Sequence, residues 1–179
     1  MKNLKTLEFR LDFFNKSEQS ILLNAKNIVV GFSGGIDSTL ALAATNQFLE
    51  THGKKNCLTA LHINHQTQSA SSKWQKHCEI FCKAHDINFL CEVVQINETG
   101  QGYEAAARSA RLEIFNSLEE ESVIILGHHL DDQAETIFFR VLRGTGLKGL
   151  TGMQRNVKIH GKNFISFYHE FLRFFAFQL

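Results

Sequence analysis

The sequence predicts an α/β protein with a doubly wound parallel sheet and helices on both faces. Short apolar segments alternate along most of the chain with amphipathic segments of helical length. The apolar segments are continuous rather than alternating, which is typical of parallel strands buried on both faces. With 179 residues, the chain has the size of one domain with a substantial core. Right-handed crossovers between such strands produce a Rossmann-like layout.

The predicted elements alternate in order. A leading helix is expected first, because apolar side chains recur at helical spacing before the first apolar segment. The later helices are expected on the same ground, and Trp74, Cys78 and Phe81 form the apolar face of one of them. The expected ranges are helix 14–25, strand 27–33, helix 37–50, strand 58–63, helix 70–85, strand 87–96, helix 103–118, strand 123–126 and helix 130–143.

The composition argues against a secreted or membrane-spanning protein. The net charge is +1, so the overall charge does not select a partner. Charged residues interrupt the first fifteen positions, and no apolar run approaches the roughly 20 residues that span a bilayer. We therefore expect a cytoplasmic protein without a membrane segment. The four cysteines contain no C-x-x-C pair, and we expect Cys78 and Cys82 to be buried core residues rather than metal ligands.

The turn after the first strand has the pattern of a phosphate-binding site. It reads Ser33-Gly34-Gly35-Ile36-Asp37-Ser38 and precedes a predicted helix. Paired glycines let the backbone approach a ligand, and the first turn of a helix presents unpaired N–H groups. A Walker A loop would end in Gly-Lys-Ser/Thr, whereas Asp37-Ser38 stands here. A carboxylate beside phosphates indicates Mg²⁺ together with the nucleotide.

Two other predicted strand ends carry polar residues. His62 and His65 follow the second strand, where ligand contact and a simple polar strand end are equally good interpretations. After the fourth strand, His128, Asp132 and Glu135 are spaced so that a helix would place them in one stripe with Thr136. Such a stripe suits metal binding or proton transfer. A solvated helix start, with acidic residues favoured by the helix dipole, is the alternative.

Basic residues form two further groups. Arg108 and Arg111 share one face of the predicted helix 103–118, where guanidinium groups suit phosphates or base edges, and surface ion pairs are the alternative. From Thr136 to His169 there is no acidic residue. Glycines interleave the cations of this stretch, which predicts a flexible loop that docks RNA. The cations are Arg140, Arg143, Lys148, Arg155, Lys158 and Lys162.

In these motifs the chain closely resembles the catalytic N-terminal domain of tRNA(Ile)-lysidine synthetases, which are members of the PP-loop ATP pyrophosphatase superfamily. The first motif alone marks only the superfamily, and the set in this order is specific. It covers roughly residues 27–153. The motifs are Ser33–Ser38, His62-Ile63-Asn64-His65, Glu104-Ala105-Ala106-Ala107-Arg108, Leu126–Thr136, Arg143-Gly144-Thr145-Gly146 and Gly149-Leu150-Thr151-Gly152-Met153.

The resemblance implies a two-step reaction at the wobble cytidine of an isoleucine tRNA with a CAU anticodon. ATP adenylates the C2 carbonyl oxygen and releases pyrophosphate, and the ε-amine of free lysine then attacks C2 and displaces AMP. It implies that residues 33–38 hold the pyrophosphate and that Asp37 with Asp132 or Glu135 positions Mg²⁺. Arg108 would stabilise charge on the α-phosphate or the base. Asp132 or Glu135 would take the proton of the amine, with His128 beside them.

The chain departs from the family after Met153. No Arg-Pro-Leu-Leu-like stretch follows, the chain has no proline, and residues 164–179 are rich in phenylalanine. We expect a helical lead-in over 1–26, the catalytic domain over 27–153 and an atypical tail over 154–179, either a truncated or frame-altered end or a docking helix. Two functional alternatives stay open: another PP-loop tRNA modification such as thiolation, or an inactive nucleotide-binding fragment. A homodimer is also left open.

Overall fold

The computed structural model describes residues 13–64, 71–94, 102–129 and 155–169. The helices and strands alternate through β4 and end in two consecutive strands. Their bounds are α1 Lys16–Asn24, β1 Ile28–Gly31, α2 Ile36–Thr51, β2 Leu58–Asn64, α3 Ser71–Ala84, β3 Asn88–Val93, α4 Tyr103–Ser117, β4 Val123–His129, β5 Asn156–Ile159 and β6 Lys162–His169. The predicted alternation is therefore confirmed across the described residues up to β4.

The six described strands form one sheet in the order β3-β2-β1-β4-β6-β5. All neighbours pair in parallel except β5, which runs antiparallel to β6. The chain steps outward from β1 through β2 to β3 and then returns to the other side of β1 with β4. This reversal makes the sheet doubly wound, as predicted, and the switch point between β1 and β4 is where such sheets bind ligands.

Helices cover both faces of the sheet. Ile28 and Val30 of β1 pack in a large cluster with residues of α1, α2 and α3. Val29, which points to the opposite face, packs in a smaller cluster with Phe115 of α4. Successive side chains of the buried strand β1 therefore point into two cores, one on each face of the sheet. The expectation of helices on both faces is confirmed.

Helix α3 packs less completely than its sequence predicts. Cys78 and Cys82 are fully buried, which confirms their predicted place in the core. Burial raises the pKa of the Cys78 thiol to about 11 and that of Cys82 to about 12, so both remain protonated near neutral pH. Trp74, expected on the same apolar face, is instead 53% exposed. The apolar face is narrower than the hydrophobic pattern indicates.

Strand β4 is longer than predicted. It was expected to end at Leu126, but it continues to His129 because its last residues pair with Tyr168 and His169 of β6. His128 is thus a strand residue, and its predicted place on a helical stripe with Asp132 is wrong. Asp132, Glu135 and the rest of the predicted helix 130–143 lie outside the described residues, as does His65.

Strands β5 and β6 were not predicted. Residues 164–169, interpreted from sequence as part of an altered end or a docking helix, form a strand beside β4. Phe167 packs on Phe14 with ring centroids 5.8 Å apart, and Phe164 packs on Phe115 at 6.0 Å. The two phenylalanines enter the two cores from opposite faces of β6. Residues 155–169 therefore continue the same sheet beyond the expected boundary at residue 153.

No helix in the described ranges is both long and apolar enough to cross a membrane.

Candidate functional site

The turn after β1 lies at the switch point of the sheet and leads directly into α2. Gly34 has a φ of +84°, a left-handed conformation that favours glycine. Gly35 is the N-cap of α2 and provides no side-chain cap. The first N–H groups of the helix therefore have no capping side chain and form a ready anion site. Asp37 is in this first turn.

Hydroxyl groups hold the turn in shape. The Ser38 hydroxyl accepts from the Ser33 backbone N–H at 3.2 Å and donates to the Gly35 carbonyl at 3.0 Å. The two serine hydroxyls are 3.0 Å apart, and the Gly35 N–H donates to Ser33 Oγ at 3.3 Å. One assignment satisfies every contact: Ser33 donates to Ser38, and Ser38 donates to Gly35. The turn is thus organised by its own side chains.

Close contact between α2 and β4 brings the second edge of the site to the turn. A Cβ atom at Gly127 would lie 2.5 Å from the Asp37 carbonyl oxygen and 2.9 Å from the Ser38 nitrogen. Only a residue without a side chain lets β4 pass the first turn of α2 at this distance. Sequence reasoning missed this role, although a glycine inside a strand is itself a signal of close backbone approach. The next residue, His128, is therefore at the same edge of the sheet.

Buried residues of β2 and α3 contact the turn and the residue that leads into it. His62 is buried, and its Nδ1 lies 2.9 Å from the carbonyl oxygen of Phe32. Since that oxygen can only accept, Nδ1 carries the proton and donates. A Cβ atom at Gly34 would lie 3.0 Å from Cys78 Sγ, so the turn rests on α3. His62 therefore donates to the backbone that leads into the turn, and its contact with a ligand stays a prediction.

The other predicted residues are distributed as follows. Ile36 is exposed at the start of α2, and Arg108 is exposed on α4. Because α4 connects the carboxyl end of β3 to the amino end of β4, its first turns lie at the carboxyl edge. Arg108 thus lies toward the same carboxyl edge of the sheet as the phosphate turn, but on the opposite face of the sheet from α2. The structure brings Ser33–Ser38, His62 and the end of β4 together.

The chemistry of the turn fits a nucleotide with Mg²⁺. Mg²⁺ is usually held by one or two carboxylates together with phosphate oxygens, and Asp37 supplies one carboxylate next to the uncapped N–H groups. Within the described ranges, no three His, Cys, Asp or Glu side chains form a metal-binding group. Asp37 alone fits the usual protein contribution, because the phosphates supply the other ligands.

A phosphate-binding turn at the switch point of a doubly wound sheet defines an α/β protein of the nucleotide-binding class. Comparison with known families makes this class specific. The sequence model of the PP-loop domain family matches residues 5–173, and the chain belongs to this family.

Two similar curated proteins carry the same name. The chain is 43% identical over 130 residues to the tRNA(Ile)-lysidine synthase of Legionella pneumophila (strain Paris), a match that covers 72% of this chain and 29% of that protein. It is 40% identical over 129 residues to the protein of the same name from Photorhabdus laumondii, with coverage of 72% and 29%. The chain thus spans less than a third of the length of these relatives.

A solved structure supports the fold. The U34-tRNA thiolase NcsA from Methanococcus maripaludis, determined with its [4Fe-4S] cluster, matches with a TM-score of 0.64. The match covers 88% of this chain and 56% of the thiolase, at 18% sequence identity. At this identity the likeness concerns the fold alone.

Proposed function

We propose that this chain binds ATP at residues 33–38 and uses it to join lysine to C2 of the wobble cytidine in tRNA(Ile) with a CAU anticodon. The observation that carries the proposal is the uncapped start of α2, shaped by the Ser33–Ser38 hydrogen bonds at the switch point of the sheet. The names of relatives that are 40 to 43% identical support the choice of reaction.

The proposed first step uses the turn as a pyrophosphate holder. The C2 carbonyl oxygen of cytidine attacks the α-phosphorus of ATP, the new O–P bond forms, and the bond to pyrophosphate breaks. Gly34 and Gly35 present the backbone to the departing phosphates, and the N–H groups of the first turn of α2 donate to them. Asp37 would hold Mg²⁺ together with Asp132. When bound, the ion neutralises charge on the phosphates.

The proposed second step joins lysine to the activated base. The ε-amine attacks C2, the bond from C2 to the adenylate oxygen breaks, and AMP leaves. A free lysine amine has a pKa near 10.4, so its deprotonation at neutral pH costs about 4 to 5 kcal/mol. We assign the acceptance of this proton to Asp132 or Glu135, which follow His128 along the chain, and the stabilisation of charge on the α-phosphate or the base to Arg108.

The proposed partners are the tRNA, free L-lysine and ATP with Mg²⁺. The reaction belongs to the cytoplasm, where tRNA and ATP meet. A homodimer is compatible with this proposal and is tested by the mass of the chain in solution. Thiolation is the less favoured modification, because the sequence has no C-x-x-C pair and the curated relatives carry the other name.

Two measurements test the proposal. Mg·ATP binding is titrated by calorimetry, and incorporation of labelled lysine into the isoleucine tRNA is measured in the presence of ATP. We expect ATP binding, and lysine incorporation is the result that establishes the full reaction. Binding without incorporation would leave a nucleotide-binding fragment, and the absence of ATP binding would contradict the proposed site.

A pair of matched variants tests Asp37. Asp37→Asn removes the carboxylate with little change in shape, and we expect Mg·ATP affinity to fall by at least about tenfold. Asp86→Asn is the control, because Asp86 is an exposed carboxylate in the turn between α3 and β3, at the opposite edge of the sheet. Equal affinity of the two variants would reject the role of Asp37.

A further inference from the structure

Trp74 is the sole tryptophan of the chain, and its side chain is 53% exposed on α3. The proposed reaction gives it no role. An exposed aromatic ring next to a phosphate site is a surface on which a base can stack. Its surroundings decide between a packing defect and a binding surface.

The indole lies directly beside the phosphate turn. The position that a Cβ atom of Gly34 would occupy is 3.5 Å from Trp74 Cε3 and 3.7 Å from His77 Cδ2. The rings of Trp74 and His77 meet edge to face, with centroids 6.1 Å apart and an interplanar angle of 84°. The indole is therefore buttressed by the turn on one side and by His77 on another.

The beginning of α3 is also tied to the sheet. Asn64 at the end of β2 donates from its amide to Gln75 Oε1 at 2.9 Å, and Cys78 is fully buried one turn further along. Gln75 and Cys78 follow Trp74 within about one helical turn, so the backbone that carries the indole is fixed to the sheet. The indole is thus held in place before any ligand arrives, which lowers the entropic cost of binding.

Positive charge lies on one side of the indole. Lys73 is exposed on α3 and shares a helix face with His77, the residue whose ring meets the indole. Within the described part of the chain, no carboxylate forms an ion pair with Lys73. Lys76, two residues after Trp74, is exposed on a different face of the helix. A cation beside an exposed aromatic ring is the pattern of a single-stranded nucleic-acid surface.

We propose that Trp74 and Lys73 form a docking surface for single-stranded RNA, in which a base stacks on the indole and the lysine binds an adjacent phosphate. This inference rests on the proposed function and adds to it the place where the RNA next to the target cytidine lies. The adenine of ATP fits this surface less well, because the adjacent turn takes the phosphates, and ribose separates the base from them.

The single tryptophan makes a direct experiment. Its fluorescence is followed as the full chain is titrated with a seven-nucleotide RNA of the anticodon-loop sequence, with inorganic polyphosphate and with Mg·ATP. We expect quenching by the RNA only, because stacking needs a base. Equal quenching by polyphosphate would overturn the stacking proposal, and quenching by ATP in competition with the RNA would assign the indole to the adenine.

Variants separate stacking from charge. In anisotropy measurements with fluorescein-labelled RNA, we expect Trp74→Ala to weaken binding by about 5- to 100-fold and Trp74→Phe to retain most of the affinity. Lys73→Gln should reduce the slope of log affinity against log salt by about 0.7. Lys76→Gln, at an exposed position on a different face of the same helix, is the matched control and should leave the slope unchanged. Unchanged affinity in Trp74→Ala, with an unchanged melting temperature, would reject the surface.

The outcomes also separate this inference from the proposed function. Mg·ATP binding is measured in parallel by calorimetry, and Trp74→Ala should lower RNA affinity by a much larger factor than Mg·ATP affinity. RNA binding that depends on Trp74 in a chain that does not bind ATP would support the surface and contradict the proposed function. ATP binding together with RNA affinity independent of Trp74 would do the reverse.

Discussion

The turn over Ser33–Ser38 and the segment over residues 155–169 both carry groups that suggest contact with phosphates, but only the turn leaves hydrogen-bond donors available to them. In the turn, the serine hydroxyls bond to one another, whereas the backbone N–H groups at the start of α2 have no capping side chain. In the segment, Arg155 Nε lies 2.5 Å from Glu18 Oε1, and Lys162 is 3% exposed with Nζ 3.0 Å from the Asn116 carbonyl oxygen.

The difference shows that a charge in the sequence is not a charge at the surface. A cation that leaves water must find a partner inside the protein, and it is then no longer available to RNA. Arg155 and Lys162, expected in the RNA-docking loop, both bind partners inside the protein, although 40% of the Arg155 side chain stays exposed. Of the expected cations in the described residues, Lys158 stays exposed. The role of the undescribed members of the set stays a prediction.

The largest expected effect is that of Gly127→Ala. The new methyl group would meet the Asp37 carbonyl oxygen at 2.5 Å, and both partners are backbone. We expect a loss of at least about 3 kcal/mol in the free energy of unfolding, together with loss of Mg·ATP binding, as measured by urea denaturation and calorimetry.

Gly53→Ala is the control for Gly127. Gly53 also resists substitution, since its φ is +66°, but a Cβ atom there would meet nothing within 4 Å. We expect a cost of roughly 1 kcal/mol and unchanged nucleotide binding. If both variants kept full nucleotide affinity, the contact between α2 and β4 would have no part in the site.

Arg155→Met is expected to cost about 2 to 3 kcal/mol in the free energy of unfolding. It leaves the Glu18 carboxylate, 1% exposed, without its cation. The cost is below that of a fully buried pair because 40% of the Arg155 side chain is exposed. The double variant with Glu18→Gln should recover about half of the loss, and strict additivity in this cycle would show that the pair is not coupled.

Alkaline pH is expected to lower the free energy of unfolding, because it ionises the two buried thiols of α3. Burial raises the pKa of Cys78 from 9.0 to about 11 and that of Cys82 to about 12. The unfolded chain loses these protons first, so the stabilisation is complete below pH 9 and is lost as the pH rises through the folded-state values. Between pH 8 and 10, wild type should lose about 2 kcal/mol more than the Cys78→Ala/Cys82→Ala variant in urea denaturation. Parallel pH profiles would argue against the buried thiols.

The smallest effects distinguish two lysines of the 155–169 segment. Lys162→Met removes the hydrogen bond to Asn116 and should cost about 1 kcal/mol, with RNA affinity unchanged. Lys158→Met, at an exposed position, should change stability by less than about 0.5 kcal/mol. We expect Lys158→Met, but not Lys162→Met, to lower the salt dependence of RNA binding. The reverse pattern would show that burial does not decide which cation is available.

Local elements were predictable, and their pairing was not. The predicted strands and helices up to β4 agree with the structure to within a few residues at most ends, because hydrophobic period and turn residues are local signals. Strand β3 is the weaker case, expected over 87–96 and observed as Asn88–Val93. The longer end of β4 depends on β6, a partner distant in sequence. Trp74 was misplaced because periodicity does not reveal how wide a face the sheet can cover.

The candidate site divides in the same way. The sequence by itself determined the phosphate turn, since Gly34, Gly35 and the two serines act on their own neighbours within a few residues. The tertiary structure decided that Gly127 brings β4 against α2, that His62 holds the turn from below and that Arg155 turns inward to Glu18. The physical reason is distance along the chain: a short-range conformational preference is written in adjacent residues, whereas contact, burial and the pairing of charges exist only once remote segments have packed.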